Sequence, residues 1–149
     1  MNEGSFALSL AEFAEQAKEA IDSSLREIVI EIGASVIRMS PVGNPDDWKN
    51  PPPPGYVGGR FRGNWQFSIG TPKTGQLDRI DPNGAETTAE IIDGAIQFKA
   101  GETAYIVNNL PYAVRLEYGW SGQAPGGMVR ITLERFQQIV LEAIRNNQV

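Results

Sequence analysis

Residues 10–39 read LAEFAEQAKEAIDSSLREIVIEIGASVIRM, and their reading decides the fold. Leu10, Phe13, Ala17, Ile21, Leu25, Ile28, Ile32, Val36 and Met39 recur at intervals of three and four. That is one unbroken apolar stripe at helical period. Ser9, with Glu12 three residues on, matches a capping box and sets the expected start. Ser40-Pro41 sets the end, because a residue before proline is pushed out of the α region. Gly33 alone weakens the pattern, by about 1 kcal/mol relative to Ala. A helix over 10–39 is roughly 45 Å long at 1.5 Å per residue. A compact chain of this length is only about 40 Å across. The helix therefore lies across a sheet, or its stripe also packs against neighbouring copies.

Working outward, residues 41–59 hold Pro41, Pro45, the run Pro51–Pro54, Gly55, Gly58 and Gly59, and form no core element. Four consecutive prolines favour an extended polyproline rod, here flanked by Trp48 and Tyr56. A strand is expected from Asn64 to Gly70, where Trp65, Phe67 and Ile69 alternate with polar residues. Residues 70–84 are turn-rich. Residues 85–98 read as a short helix through Thr88, Ile91, Ile92, Ala95 and Ile96, with a hairpin at Asp93-Gly94 as the competing reading. A second strand follows at 103–108. Pro111 opens a helical turn that stops at Gly119. A last helix is expected over 127–146, with Val129, Leu133, Phe136, Val140 and Ile144 as its buried stripe. Helices at both ends with strands between predict an α+β domain: a small, mostly antiparallel sheet packed by the N-terminal and C-terminal helices. One domain covers 1–149, with a Pro/Gly-rich insertion at 41–59.

Composition removes many functions. The 149 residues contain no Cys and no His. Disulfides, thiolate or imidazole metal sites and His-based triads are thus excluded. Thirteen Lys and Arg against 18 Asp and Glu give a net charge of −5, a poor balance for a general nucleic-acid binder. No apolar run approaches a membrane span, and no secretion signal is expected at the N-terminus. A soluble chain without a cofactor is the expectation. Charge is uneven: residues 1–40 carry seven acids and three bases, whereas 41–84 carry four and five.

Three constellations merit a chemical reading. Gly58-Gly59-Arg60-Phe61-Arg62-Gly63 is glycine-rich, but it lacks the Gly-Lys-Ser/Thr ending of a phosphate loop and precedes a strand. Arg60, Phe61, Arg62 and Trp65 mix cations with aromatics, as single-stranded nucleic-acid sites do; the alternative is arginines on acids with the rings in the core. Glu117 stands among Tyr112, Tyr118 and Trp120, which is the setting of a glycosidase acid. No partner carboxylate is marked out for it, and a Glu pinned to an Arg or to backbone donors at a turn is the competing reading.

Certain words of the sequence resemble a known family. They are Ser40-Pro41-Val42, then Gly59-Arg60-Phe61-Arg62-Gly63-Asn64-Trp65. Next come Tyr105-Ile106-Val107-Asn108-Asn109-Leu110-Pro111-Tyr112-Ala113, Leu116-Glu117-Tyr118-Gly119, Ser121 and Gln123-Ala124-Pro125-Gly126-Gly127-Met128-Val129. The order resembles the neck or tail-completion proteins of long-tailed bacteriophages, of the lambda minor tail protein Z type, over roughly residues 10–145. In such proteins the first two words stand close together, whereas here the Pro-rich insertion separates them. The resemblance implies a non-enzymatic virion protein at the head–tail junction, made in the host cytoplasm. It implies a homo-oligomeric ring, six copies favoured and twelve possible, with other neck and tail proteins as partners and DNA only as passing cargo. The acidic balance suits such a channel, since like charge repels the duplex.

Candidate interface or structural residues are Arg60, Phe61, Arg62, Trp65, Asn108, Asn109, Pro111, Tyr112, Glu117, Tyr118, Trp120, Gln123, Pro125 and Met128. Trp65 and Tyr105 are expected as core anchors. Residues Tyr112 to Tyr118 are expected to hold the turn after the second strand. Arg60 and Arg62 are expected to meet acids on a neighbouring subunit. The alternatives are DNA binding at the genome end or in packaging, through the arginines, and a carbohydrate-active enzyme built on Glu117.

Overall fold

The computed structural model describes residues 3–44 and 50–148, with side chains from residue 9 onward. Helix α1 spans Glu3–Met39. It starts before Ser9, so Ser9 and Glu12 lie inside the helix and form no cap. Ala7-Leu8 and Ala11 favour helix, and extending an existing helix costs far less than nucleating one. The end falls where Pro41 requires it: Ser40 donates its N–H to the Ile37 carbonyl at 3.1 Å, and its Oγ donates to the Val36 carbonyl at 2.5 Å. At 1.5 Å per residue α1 is roughly 55 Å long.

Only the C-terminal part of α1 is enclosed, and it is enclosed from two sides. On one side lies α2, Ala85–Ala95. The residue pattern there is helical, and the competing hairpin at Asp93-Gly94 does not form. Ile91 and Ala95 of α2 are buried, while Ile92 and Ile96 face out. The contact is close because Gly33 has no side chain: a Cβ there would stand 3.0 Å from both Ile91 Cδ1 and Ile91 Cγ2. The segment after α2 is fastened to α1 by polar bonds. Arg26 Nε donates to the Phe98 carbonyl at 2.9 Å, and Ala100 N–H donates to Asp22 Oδ1 at 2.9 Å.

On the other side lie α4, Val129–Glu134, and α5, Phe136–Asn146. The expected single helix over 127–146 is interrupted at Arg135, whose φ of −95° and ψ of 0° leave the α region. Its expected stripe is also corrected. Val129, Leu133, Phe136 and Ile144 are exposed, and the buried residues are Met128, Thr132, Ile139 and Ala143. The facing surface of α1 explains the substitution. It presents Ser24 and Ser35, which fit small or polar partners. Ser35 Oγ and Thr132 Oγ1 share a 2.6 Å hydrogen bond, and Ser24 Oγ donates to the Ala143 carbonyl at 3.4 Å.

The sheet has two strands, β1 at Trp65–Ile69 and β2 at Ala104–Asn108, paired antiparallel with Phe67 opposite Ile106. Trp65, Phe67 and Ile106 face the core, so the two-residue alternation reads correctly. The sheet packs on α2, and its apolar face also meets the C-terminal part of α1, through Ile106 beside Gly33 and Trp65 at Ser40. Trp65 anchors the core, fully enclosed, with Nε1 donating to Ser40 Oγ at 2.7 Å. Tyr105 does not; it pairs with Ser68 on the outer face and is half-buried. The helical turn after β2 is α3, Ala113–Glu117. Residues 50–59 contain no helix or strand, and Pro54-Gly55 makes a turn closed by Tyr56 N–H on the Pro53 carbonyl at 3.1 Å. Trp48 lies outside the described residues.

The contact at Gly33 yields a test in which two effects compete. Gly33→Ala gains about 1 kcal/mol of helix propensity, but it over-packs an enclosed site, which costs about 1–3 kcal/mol. A net loss of roughly 1 kcal/mol is expected in denaturant unfolding. Pairing Gly33→Ala with Ile91→Val, which removes one of the two opposing carbons, should recover part of it. A more stable Gly33→Ala protein would contradict the packing.

Candidate functional site

The structure gathers the sequence candidates at one end of the molecule. An open groove of about 780 Å³ is lined by the chain after α1 (Pro41–Asn44), by Tyr56, Gly59, Arg60 and Phe61, and by Tyr112, Leu116, Trp120 and Gln123. Phe61 forms its floor, buried edge-on against Trp65 at 6.0 Å and tilted against Tyr112 at 6.1 Å. Burial raises the Tyr112 hydroxyl above its ordinary pKa; Arg60 opposes this and Tyr56 adds to it. Tyr112 is therefore a neutral phenol at physiological pH.

The two arginines separate. Arg60 is exposed on the groove, with NH2 reaching Gln76 Oε1 at 3.5 Å. Arg62 points inward and is spent on three carbonyls: Pro82 at 2.7 Å, Arg38 at 3.1 Å and Ser40 at 2.6 Å. Burial lowers its pKa, with the nearby Asp81 charge opposing. Within its own chain Arg62 is therefore committed to carbonyls, not to acids. Its donors close the end of α1, where the last carbonyls lack helical partners.

Asn108, Asn109 and Gln123 act in the same internal way. Asn108 Nδ2 donates to the Phe61 carbonyl at 2.9 Å. Asn109 Nδ2 reaches the carbonyls of Lys73 and Gly75 at 2.9 and 3.0 Å. The Gln123 amide mimics a backbone partner of Val42, accepting from its N–H at 3.0 Å and donating to its carbonyl at 2.9 Å.

Glu117 is tied down most completely. Its Oε1 accepts from the N–H groups of Met128 and Val129, each at 2.8 Å. Its Oε2 accepts from Arg130 N–H at 3.0 Å and Arg130 Nε at 3.1 Å, and Arg130 NH2 also donates to the Glu117 carbonyl. The carboxylate thus closes the first turn of α4. Burial by itself would raise its pKa, but the hydrogen bonds from Val129, Arg130 and Met128 outweigh it and hold the group below the usual carboxylate range. A glycosidase acid needs the opposite shift, so Glu117 is ionised and occupied, not a proton donor. Gly127, at φ 85°, lets the backbone come against Glu117 where a Cβ would collide.

The remaining aromatics are outward. Tyr118 and Trp120 are 67% and 75% exposed, each with an arginine over its ring, Arg130 at 4.8 Å and Arg115 at 5.0 Å. Pro111 and Pro125 are exposed, whereas Met128 is enclosed in the core. Among the described residues no three Asp or Glu side chains gather as a metal site would require. No described helix is long and apolar enough to cross a membrane.

Sequence reasoning missed three polar residues on which this end depends. Asn64 is fully buried, donating to the Arg60 and Leu77 carbonyls and accepting from Leu77 N–H. Arg79 donates to the carbonyls of Gly63 and Trp65 and pairs with Glu90. Asp81 accepts from the N–H and hydroxyl of Thr87 at 2.8 and 2.7 Å. The signal for Asp81 was present in Asp81-Pro82-Asn83-Gly84, a turn that leads directly into α2; Asn64 and Arg79 carry no local signal.

Compared with protein-family models, curated proteins and solved structures, the chain matches none.

Glu117→Gln keeps the shape but loses the charge and two acceptor sites. It should cost about 1–2 kcal/mol, the scale of a lost helix cap. The folded carboxyl is lowered, so its contribution is full above the unfolded value of about 4.3 and fades as pH falls through the lower folded value. The stability gap between wild type and Glu117→Gln, measured by urea unfolding, should be widest near neutrality and close on acidification. A gap independent of pH would contradict the charge-based account.

Proposed function

We propose that this chain is a structural subunit of the neck or tail-completion apparatus of a long-tailed bacteriophage, assembling as a ring at the head–tail junction. The observation that carries the reading is the mutual attachment of the sequence words that resemble that family. Arg62 holds the Ser40 carbonyl, Asn108 holds the Phe61 carbonyl, and Gln123 pairs with Val42. Glu117 holds residues 128–130. Words far apart in the chain thus meet as one scaffold, which suits a motif kept for shape rather than for turnover. The insertion between the first two words leaves this meeting intact.

The alternatives have less support. DNA binding through Arg60 and Arg62 is weakened because Arg62 is committed to three carbonyls, leaving Arg60 as the exposed cation that lines the groove among the described residues, in a chain of charge −5. A carbohydrate-active enzyme loses Glu117 as its acid, because that carboxylate is held ionised by its donors.

The reading is tested in the phage genome that encodes the chain. Disrupting the gene should leave filled heads and separate tails, and the protein should be found by mass spectrometry in purified intact particles. Normal yields of infectious particles from the disrupted genome, with none of the protein in wild-type particles, would overturn it.

A further inference from the structure

Residues 51–54 are four consecutive prolines, and Pro51, Pro52 and Pro53 each precede another proline. The ring fixes φ, and the following proline keeps ψ out of the α region, so the run is an extended polyproline rod of roughly 12 Å. It is exposed at Pro51, Pro53 and Pro54. Two residues on, Tyr56 stands in the wall of the groove, and its N–H closes the turn on the Pro53 carbonyl at 3.1 Å. The run therefore ends at the rim, and none of its four prolines lines its own groove. We infer that the groove is a polyproline site, and that its occupant is the Pro51–Pro54 run of a second copy, exchanged reciprocally between two copies that meet at this end. The inference goes beyond the neck reading and does not depend on it.

Groove and run are chemically complementary. A proline run carries carbonyl acceptors, no N–H donor and no internal hydrogen bond. The groove presents flat rings and donors. Phe61 is its floor, and Tyr56, Tyr112 and Trp120 around it stay 37%, 37% and 75% exposed. The Trp120 indole and the Arg60 guanidinium donate and cannot accept, and Tyr112 is a neutral phenol. Arg60 spends one long contact, at 3.5 Å, on Gln76. Among the described residues no carboxylate lines the groove. Aromatic-lined grooves are the general site for polyproline segments, which are stiff before they bind and so cost little to order. By sequence, residues 44–54 carry Asp46 and Asp47 against Lys49, a sign opposite to that of Arg60. Run and groove share one end of the molecule. Two copies meeting there about a two-fold axis therefore each give a run and receive one. Once the first run is seated the second contact is intramolecular, so two weak contacts act together. A single strand of nucleic acid would stack on the same rings, but it meets one lining cation in a chain of charge −5.

The experiment uses two variants of the full chain and the indole N–H signals in NMR. The run variant carries Pro51→Ser, Pro52→Ser and Pro53→Ser. The groove variant is Trp120→Ala, which also identifies the Trp120 signal by its loss. The substituted side chains are exposed or half-buried, and circular dichroism verifies that each variant folds. Isotope-labelled run variant, whose groove is intact, is titrated to near-millimolar concentration with unlabelled groove variant, whose run is intact. The Trp120 signal should move and approach saturation, and it should stay still when the unlabelled partner is the run variant. In sedimentation velocity wild type should dimerise with concentration, while each variant alone stays monomeric. Three results would overturn the inference: a Trp120 signal indifferent to the groove variant, one that moves equally with the run variant, or one that moves with oligothymidylate and not with the groove variant. The last would assign the groove to single strands. Particle composition is read separately and bears on the neck reading alone.

Discussion

The close approach of α1 and α2 at Gly33 is the constraint on which the rest of the structure depends. Ile91 lies against the bare backbone there, and Ile106 of β2 lies beside it. This places α2 and the sheet on one side of α1. Ser24 and Ser35 then receive α4 and α5 on the other, through hydrogen bonds to Ala143 and Thr132. A two-stranded sheet is only marginally stable alone; here it persists because α2 and the C-terminal part of α1 cover its apolar face. The core is thus built around a helix clasped from both sides.

The long irregular segments are kept in place by polar side chains that satisfy backbone groups. Arg62, Arg79, Asn64, Asn108, Asn109 and Gln123 each bond backbone atoms of distant segments. Buried backbone groups without partners are costly, and a chain with ten prolines and 16 glycines leaves many outside helices and strands. The same economy commits many polar groups near the groove to backbone partners, and Glu117 is held ionised at the start of α4.

Much of this was legible in the sequence. Periodicity located α1, α2 and both strands, and the α+β class followed from their order. Trp65 as a core anchor, and Glu117 pinned to an Arg and to backbone donors at a turn, were read from the residues; Met128, read as an interface or structural candidate, is buried. The failures have physical causes. The capping box at Ser9 was outweighed by helix-forming residues before it. The stripe of 129–144 is strongly periodic, yet burial follows the partner surface, and α1 offers serines there rather than a broad apolar face. Arg62 looked like a surface cation because nothing local reveals that three carbonyls converge on it. Tyr105 sits on the outer face because its register opposite Ser68 is set by a pairing that sequence alone does not give.

The structure therefore divides α1 into a clasped part and a projecting part with the same apolar stripe. Hydrogen exchange measured along α1 by mass spectrometry tests that division most directly. The account predicts slow exchange over 25–39. Over 9–15 it predicts fast exchange. Equal protection along the whole helix would contradict it.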